Sequence, residues 1–201
     1  MNILNETVFI GVHSGTLGFY MDYRDTEIGE FLTDVIPGSL PVEEYPILEA
    51  QAGQQTFYAV NEIRIENPLR TQNLNLYLDD VPFEKFRGTG LCICTQLGST
   101  AFNRSLGGAV LQKGLPLFEI TEMAGIHHSQ FHSLGAPFVI SDNTQIRLDS
   151  ENFEGAIIGA DAEVAQLAGC REVMIRKSKE KVLRILRGRK ISYFERLARL
   201  S

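Results

Sequence analysis

The sequence predicts α/β plus all-β architecture: a short α/β piece, then a β-sandwich-like domain, then a closing helix. Three observations carry this. An apolar strand-like run leads into one amphipathic helix near the start, period-two alternation dominates after Pro41, and the last residues return to helical spacing. The chain has 201 residues, 44% hydrophobic and 22% charged, which suits a folded globular protein and excludes a disordered tail.

The first strand is expected over Thr7–His13, followed by a turn at HSGTLGF (13–19). A helix is expected from Thr26 to about Ile36, capped by Asp25. Ile28, Phe31, Leu32 and Val35 recur at i, i+3, i+4 and i+7 and give it one apolar face, and Pro37 and Gly38 end it. Beyond Pro41, Leu74, Leu76 and Leu78 share a face of one strand, and Ile63 and Ile65 share a face of another. Further strand-like runs are LCICT (91–95), LFEIT (117–121), FVI (138–140), QIRLD (145–149), GAIIG (155–159) and EVMIR (172–176). A last helix is expected over Ile191–Leu200, with Phe194, Leu197 and Leu200 on one side. The division is 1–42 as a partial α/β domain, 43–180 as the β domain, and 181–201 as a C-terminal strand and helix. One strand and one helix cannot close a core, so the N-terminal piece is expected to pack on the β domain or to have a further part before Met1.

Charge is unevenly spread. Residues 171–201 hold 11 Lys/Arg against 3 Asp/Glu, whereas residues 1–170 hold 8 against 22. Such an end could attract nucleic acid. Its basic residues alternate with Val182, Leu183, Ile185 and Leu186 as on a half-buried strand, so the expectation is neutralisation within the fold or an oligomer and no nucleic-acid partner. No apolar run reaches the roughly 20 residues of a membrane span, and no membrane partner is expected. Three cysteines make no disulfide framework, which points to a reducing cytoplasm.

The most concentrated segment is RGTGLCICTQLGSTAFNRSLGG (87–108). A strand there is expected to run into small residues and a helix, an arrangement that lets a ligand approach the backbone. Hydroxyls and free N–H groups at such a turn suit phosphate or ribose, while a tight turn needing positive φ explains the glycines equally well. No P-loop and no G-x-G-x-x-G after a strand is present. Asn61 and Glu62 set an amide beside a carboxylate, which can grip ribose hydroxyls or sit on a solvated strand edge. Asp161 follows an apolar strand and can serve a ligand or a turn. His127, His128 and His132 have zinc-like spacing, but no helical face and no nearby carboxylate or thiolate ligand, so no metal site is expected. Cys92 and Cys94 are expected to share one face as buried apolar residues.

Four stretches in order then resemble the NAD kinase family in its Gram-positive bacterial form. FIGVHSGTLGFYMDY (9–23) resembles its G-x-H/N-T/S-G-x-L-G-F segment, and NEIRI (61–65) its Asn-Glu strand. FEKFRGTGLCICTQLGSTAFNRSLGGAV (83–110) resembles its F-R-G-D-G-L…T-P-x-G-S-T-A-Y-N-x-S-x-G-G run, and IIGADAEV its late aspartate turn; ITEMAGI (120–126) also fits. The resemblance implies transfer of a phosphate from ATP, or polyphosphate, to the 2′-hydroxyl of NAD to make NADP. It implies a divalent cation, Mg²⁺ or Mn²⁺, with the ATP, and a homo-oligomer, dimer or tetramer. It also implies that the last helix returns to the first domain.

The sequence departs from the family at three places. The Gly-Gly-Asp-Gly-Thr loop is absent and would lie upstream of Met1, which leaves the catalytic residue unknown. Thr89 stands where the family has a substrate-contacting aspartate, and Phe102 where it has tyrosine, so a charge and a phenol oxygen are lost. The resemblance implies that the residues that carry over bind substrate. By it, Asn61 and Glu62 would contact NAD, Thr100 and Ala101 would line the adenine pocket with Phe102 beside them, and Ala124 and Ile126 would line the site of a neighbouring subunit. Phe19 would border the substrate site and Asp161 would lie near its mouth. The alternative is a degenerate, non-catalytic dinucleotide-binding module, or a partner subunit of an intact NAD kinase.

Overall fold

Alternation after Pro41 becomes two sheets in the computed structural model, which describes residues 4, 6–15, 18–127, 131–188 and 191–198. The chain divides into two compact units, residues 47–178 and residues 1–46 with 179–201. The strands are β1 (Val8–Phe9), β2 (Val12–His13), β3 (Tyr23–Arg24), β4 (Val42–Ala52), β5 (Gln55–Ala59), β6 (Glu62–Glu66), β7 (Gln72–Leu78), β8 (Val81–Gly88), β9 (Gly90–Cys94), β10 (Leu117–Met123), β11 (Phe138–Ser141), β12 (Ile146–Asp149), β13 (Ile157–Ala160), β14 (Glu163–Gln166) and β15 (Glu172–Leu186). The helices are α1 (Ile28–Val35), α2 (Phe102–Ser105) and α3 (Tyr193–Ala198).

One sheet runs β5-β4-β15-β12-β7-β8, with β1 added in parallel to β15; the other runs β11-β10-β9-β6-β13-β14. Their inner faces share one buried cluster. Leu74, Leu76, Phe86, Ile146 and Ile175 come from the first sheet, and Ile63, Ile65, Leu91, Ile93, Phe118, Ile120 and Ile158 from the second. Each such side chain contributes roughly 1.5–3 kcal/mol by leaving water, which makes the period-two pattern the dominant instruction for this unit. All five residues of β9 are buried. Its inner face meets the core, and on the outer face of the sheet Asn103, from residues 95–111, bonds to Glu119 and Thr121 of the adjacent β10. A strand covered on both faces reads as an unbroken apolar run, as LCIC does.

Residues 1–46 with 179–201 depart from the expected pattern more often. The single strand over 7–13 is two, because the chain changes partner near Gly11: β1 pairs with β15 and β2 with β3, both parallel. The helix is a 3-10 turn, Asp25–Glu27, followed by α1. Asp25 does not cap α1; Glu27 precedes it, and its Oε2 accepts the Arg24 N–H at 2.8 Å. The apolar face exists but is largely open, with Ile28 45% and Leu32 46% exposed. Gly38 ends the helix as expected, at φ 68° with its N–H donated to Val35 O.

The C-terminal residues return to this N-terminal piece. Asp22 is buried between Arg187 and Arg196, and Arg196 also donates to the carbonyl of Met21 at 2.9 Å. Among the described residues α3 starts at Tyr193, two residues after the expected start, and buries Arg196, while Phe194 is 66% exposed; the ion pair faces inward. Leu200 lies outside the described residues. The basic end meets acids, as its alternation suggested: Arg184 pairs with Glu44 and Arg187 with Glu43 in this unit, and Arg176 with Glu49 and Lys177 with Asp142 in the other. No described helix is long and apolar enough to cross a membrane.

Candidate functional site

The entry into β6 is held from two sides. Asp161 lies between β13 and β14 at φ 50°, a region where aspartate is among the better-tolerated residues. Its Oδ2 accepts the Val60 N–H at 2.7 Å, and its Oδ1 accepts those of Asn61 at 2.8 Å and Glu62 at 3.2 Å. From the other side, Thr95 donates its hydroxyl to Val60 O at 2.6 Å and its N–H to Asn61 O at 2.9 Å. Thr95 Oγ1 in turn accepts from Leu97 and Gly98, which starts the 3-10 turn Gly98–Thr100. Gly98 is needed there for space: a Cβ would sit 2.0 Å from Asn61 O. Close approach, not positive φ, explains this glycine.

The helix expected after Gly98 is that 3-10 turn plus the four residues of α2, too short to stand without tertiary bonds. Those bonds come from the outer face of β10. Asn103 donates to Glu119 Oε2 at 2.8 Å and accepts from the Thr121 hydroxyl at 2.7 Å, and Ala109 N–H donates to Glu119 Oε1 at 2.7 Å. Glu119 and Asn103 are fully buried. Burial raises the Glu119 pKa above the ordinary carboxylate value, and the Ala109 and Asn103 donors oppose that rise.

Glu62 stands on the same outer face and is treated differently. Its residue is 7% exposed, and its Oε2 is buried with no hydrogen-bond partner. Burial raises its pKa first, the Asp161 charge second, and Arg64 opposes both. The solvated-edge reading of Asn61–Glu62 is thereby excluded, since β6 lies between β9 and β13. Cys92 and Cys94 do share a face, but it is this polar outer one; burial pushes both thiols up. Arg64 lies over the Phe102 ring, 4.7 Å from its centroid.

Asn61, Glu62, Asp161, Thr100, Ala101 and Phe102 therefore belong to one assembly around the end of β9. Thr89, Ala124 and Ile126 do not. Thr89 precedes β9 at its other end, about 20 Å along the strand from Thr95 at the usual strand rise. There its N–H donates to Met123 O and its carbonyl accepts from Asn67 and Gln72. Ala124, at φ 47°, follows the residue that pairs with Gly90, and Ile126 donates to Arg87 O. Phe19 lies in the other unit, in a cleft of about 250 Å³ that His13, Asp22, Arg24 and Arg196 also line. His127 is exposed, 4.0 Å from a carboxylate, Glu122, that the spacing did not suggest; His128 lies outside the described residues. Among the described residues no group of three His, Cys, Asp or Glu is placed to hold a metal ion.

Sequence reading did not single out Arg64, Asn103, Glu119 or Thr121. Polar residues inside strand-like runs, Glu119 and Thr121 in LFEIT and Arg64 in NEIRI, were the available signal; Asn103 had none.

Comparison with known proteins agrees with this architecture. Residues 60–187 match the ATP-NAD kinase C-terminal domain family. An NAD kinase of Limosilactobacillus reuteri is 34% identical over 174 residues, covering 84% of this chain and 64% of that protein. An NAD kinase of Enterococcus faecalis is 36% identical over 166 residues, covering 80% and 63%. The chain thus spans slightly under two thirds of these relatives' length. Among solved structures, an NAD kinase from Archaeoglobus fulgidus in complex with ATP superposes with a TM-score of 0.81 at 23% identity, over 96% of this chain and 73% of that one. Yeast NADH kinase complexed with NADH gives 0.78 at 18% identity, over 94% and 55%. These two likenesses establish the shared fold.

Proposed function

The chain belongs to the NAD kinase family, and we propose that it serves phosphorylation of the 2′-hydroxyl of NAD, with ATP or polyphosphate as donor, to give NADP. The observation that carries this reading is Glu62: a buried carboxylate oxygen without a partner, on a backbone clamped by Asp161 and Thr95. An unpaired buried acceptor costs about 1–3 kcal/mol, and a ribose hydroxyl donating to it would remove that cost. Asn61 would supply the companion amide, and the ribose would then be held by donors and acceptors whose positions are set before it arrives. Thr100 and Ala101 would line the adenine pocket, with Phe102 offering ring surface. Asp161 would act through the backbone it grips.

Thr89, Ala124 and Ile126, gathered at the other end of β9, would serve the site of a neighbouring copy, so the working form is a homo-oligomer, dimer or tetramer. Phe19 would border the substrate site by the family resemblance alone. A cytoplasmic location fits the three free cysteines. Among the described residues no His, Cys, Asp or Glu cluster fits a resident metal ion, and the Mg²⁺ or Mn²⁺ expected with ATP would arrive on its phosphates. Phosphoryl transfer asks the protein mainly for positioning and charge stabilisation, and the residues named here supply the positioning of NAD. The curated relatives are NAD kinases, which does not favour the non-catalytic alternative.

Calorimetry with NAD, paired with an NADP-formation assay containing ATP and Mg²⁺, tests the reading. NAD should bind, and Glu62→Gln should weaken binding about tenfold or more, as loss of a charged acceptor does. No binding at millimolar NAD would overturn it.

A further inference from the structure

We propose that Arg64 is a positioning residue of the dinucleotide site, acting through Phe102, whose ring it backs, and through Glu62, whose charge it balances. This rests on the NAD-binding reading above. Arg64 lies two residues after Glu62 on β6, hence on the same outer face, away from the core face of Ile63 and Ile65. Its register partners are Cys92 on β9 and Gly159 on β13. A Cβ on Gly159 would lie 3.1 Å from the guanidinium, so the glycine leaves the room in which Arg64 lies.

Two contacts and one buried nitrogen separate this arginine from an ordinary surface cation. Its Cζ is 4.7 Å from the Phe102 centroid, a cation–π distance. Its Nη1 is 3.4 Å from Glu66 Oε1, a partly exposed single contact that by itself is weak. Its Nε is buried and has no partner. A side chain held only by Glu66 would not need the stack.

The stack matters because Phe102 has no hydroxyl to fix its ring. The guanidinium is planar, permanently charged and weakly hydrated, and it suits the face of an aromatic ring better than an ammonium does. The same charge acts on Glu62. Asp161 from the β13–β14 turn and Arg64 from its own strand act on that carboxylate directly; Cys92 and Cys94 of β9 couple to it, and Glu119 of β10 couples to those thiols. Of these, Arg64 is the cation, and it opposes the rise that burial and Asp161 impose. Removing it lets the Glu62 pKa rise further, so the carboxylate loses its charge, and its full capacity to accept ribose hydroxyls, at a higher pH.

The experiment compares the unaltered chain with Arg64→Leu and Arg64→Lys. Carboxyl ¹³C NMR follows the titration of Glu62, assigned with Glu62→Gln, without ligand; calorimetry measures NAD affinity from pH 5 to 8. Arg64→Leu should move the Glu62 midpoint upward and weaken NAD binding about tenfold at neutral pH. Arg64→Lys should restore the midpoint while affinity above it stays reduced, because the charge returns and the planar stack does not. If Arg64→Leu does not fold, Arg64→Gln carries the same comparison. An unmoved midpoint, or equal loss at every pH in Leu and Lys variants, overturns the proposal. Failure of the unaltered chain to bind NAD, with the Glu62 titration still responding to Arg64, sinks the dinucleotide reading, and the positioning role with it, by a different signature.

Discussion

Two carboxylates on one sheet face, Glu119 and Glu62, are both buried, and the structure completes only one of them. Glu119 has both oxygens filled, by Asn103 and by the Ala109 N–H, and so fastens residues 95–111 to the sheet. Glu62 keeps Oε2 empty on a backbone that Asp161 and Thr95 hold rigid. Burial without a partner is costly, so under the proposed reading the contrast sets a group that fastens the segment beside one whose oxygen is left for a ligand.

The largest expected effect comes from breaking the completed member. Glu119→Ala strands the Asn103 amide and the Ala109 N–H in a buried place and should cost about 3 kcal/mol in urea unfolding, with the 95–111 segment opening to hydrogen exchange. A neutral result would show that this network does not fasten the segment. Next is Asp161→Ala, which strands up to three N–H groups and puts alanine at φ 50°. A loss of about 2 kcal/mol is expected, with Asp161→Asn recovering part of it because asparagine tolerates that φ and keeps one acceptor. Glu62→Gln should change stability by under about 1 kcal/mol, since no protein partner is lost at Oε2. A large destabilisation there would erase the distinction.

The smallest effect is in pH. Both carboxylates have folded pKa values raised above the unfolded value of about 4.3, chiefly by burial. Such a group binds its proton more tightly when folded, so its stabilising contribution is full below the unfolded pKa and is lost as pH rises through the folded one. Stability should therefore decline over that window, and Glu62→Gln should flatten part of the decline. Chemical denaturation at successive pH values reads this directly; an unchanged slope would mean that Glu62 is not held in a raised state.

Much of the architecture was readable locally. The LCIC run, the Leu74–Leu76 alternation and the Ile63–Ile65 pair marked strands and the core face, because side-chain period follows backbone geometry. The GSTAFN stretch marked the site region, yet its helix came out as one turn and four residues, since Asn103 answers to Glu119 and Thr121 instead of to helix propensity. The amphipathic spacing at 28–35 was real, but spacing states which residues align and not what they meet, and Ile28 and Leu32 remain open. Arg196 went unread because a buried ion pair with Asp22 joins residues far apart along the chain.

By itself, then, the sequence determined the class of the main domain, its inward-facing residues and the family to which it belongs, since these rest on local periodicity and on ordered motifs. Only the tertiary structure decided that Asp161 holds Asn61 and Glu62, that Arg64 backs Phe102, and that Thr89 stands at the far end of β9 from Thr95. Those facts depend on strand order and register, which bring together side chains up to about a hundred residues apart and leave no mark in any short window of sequence.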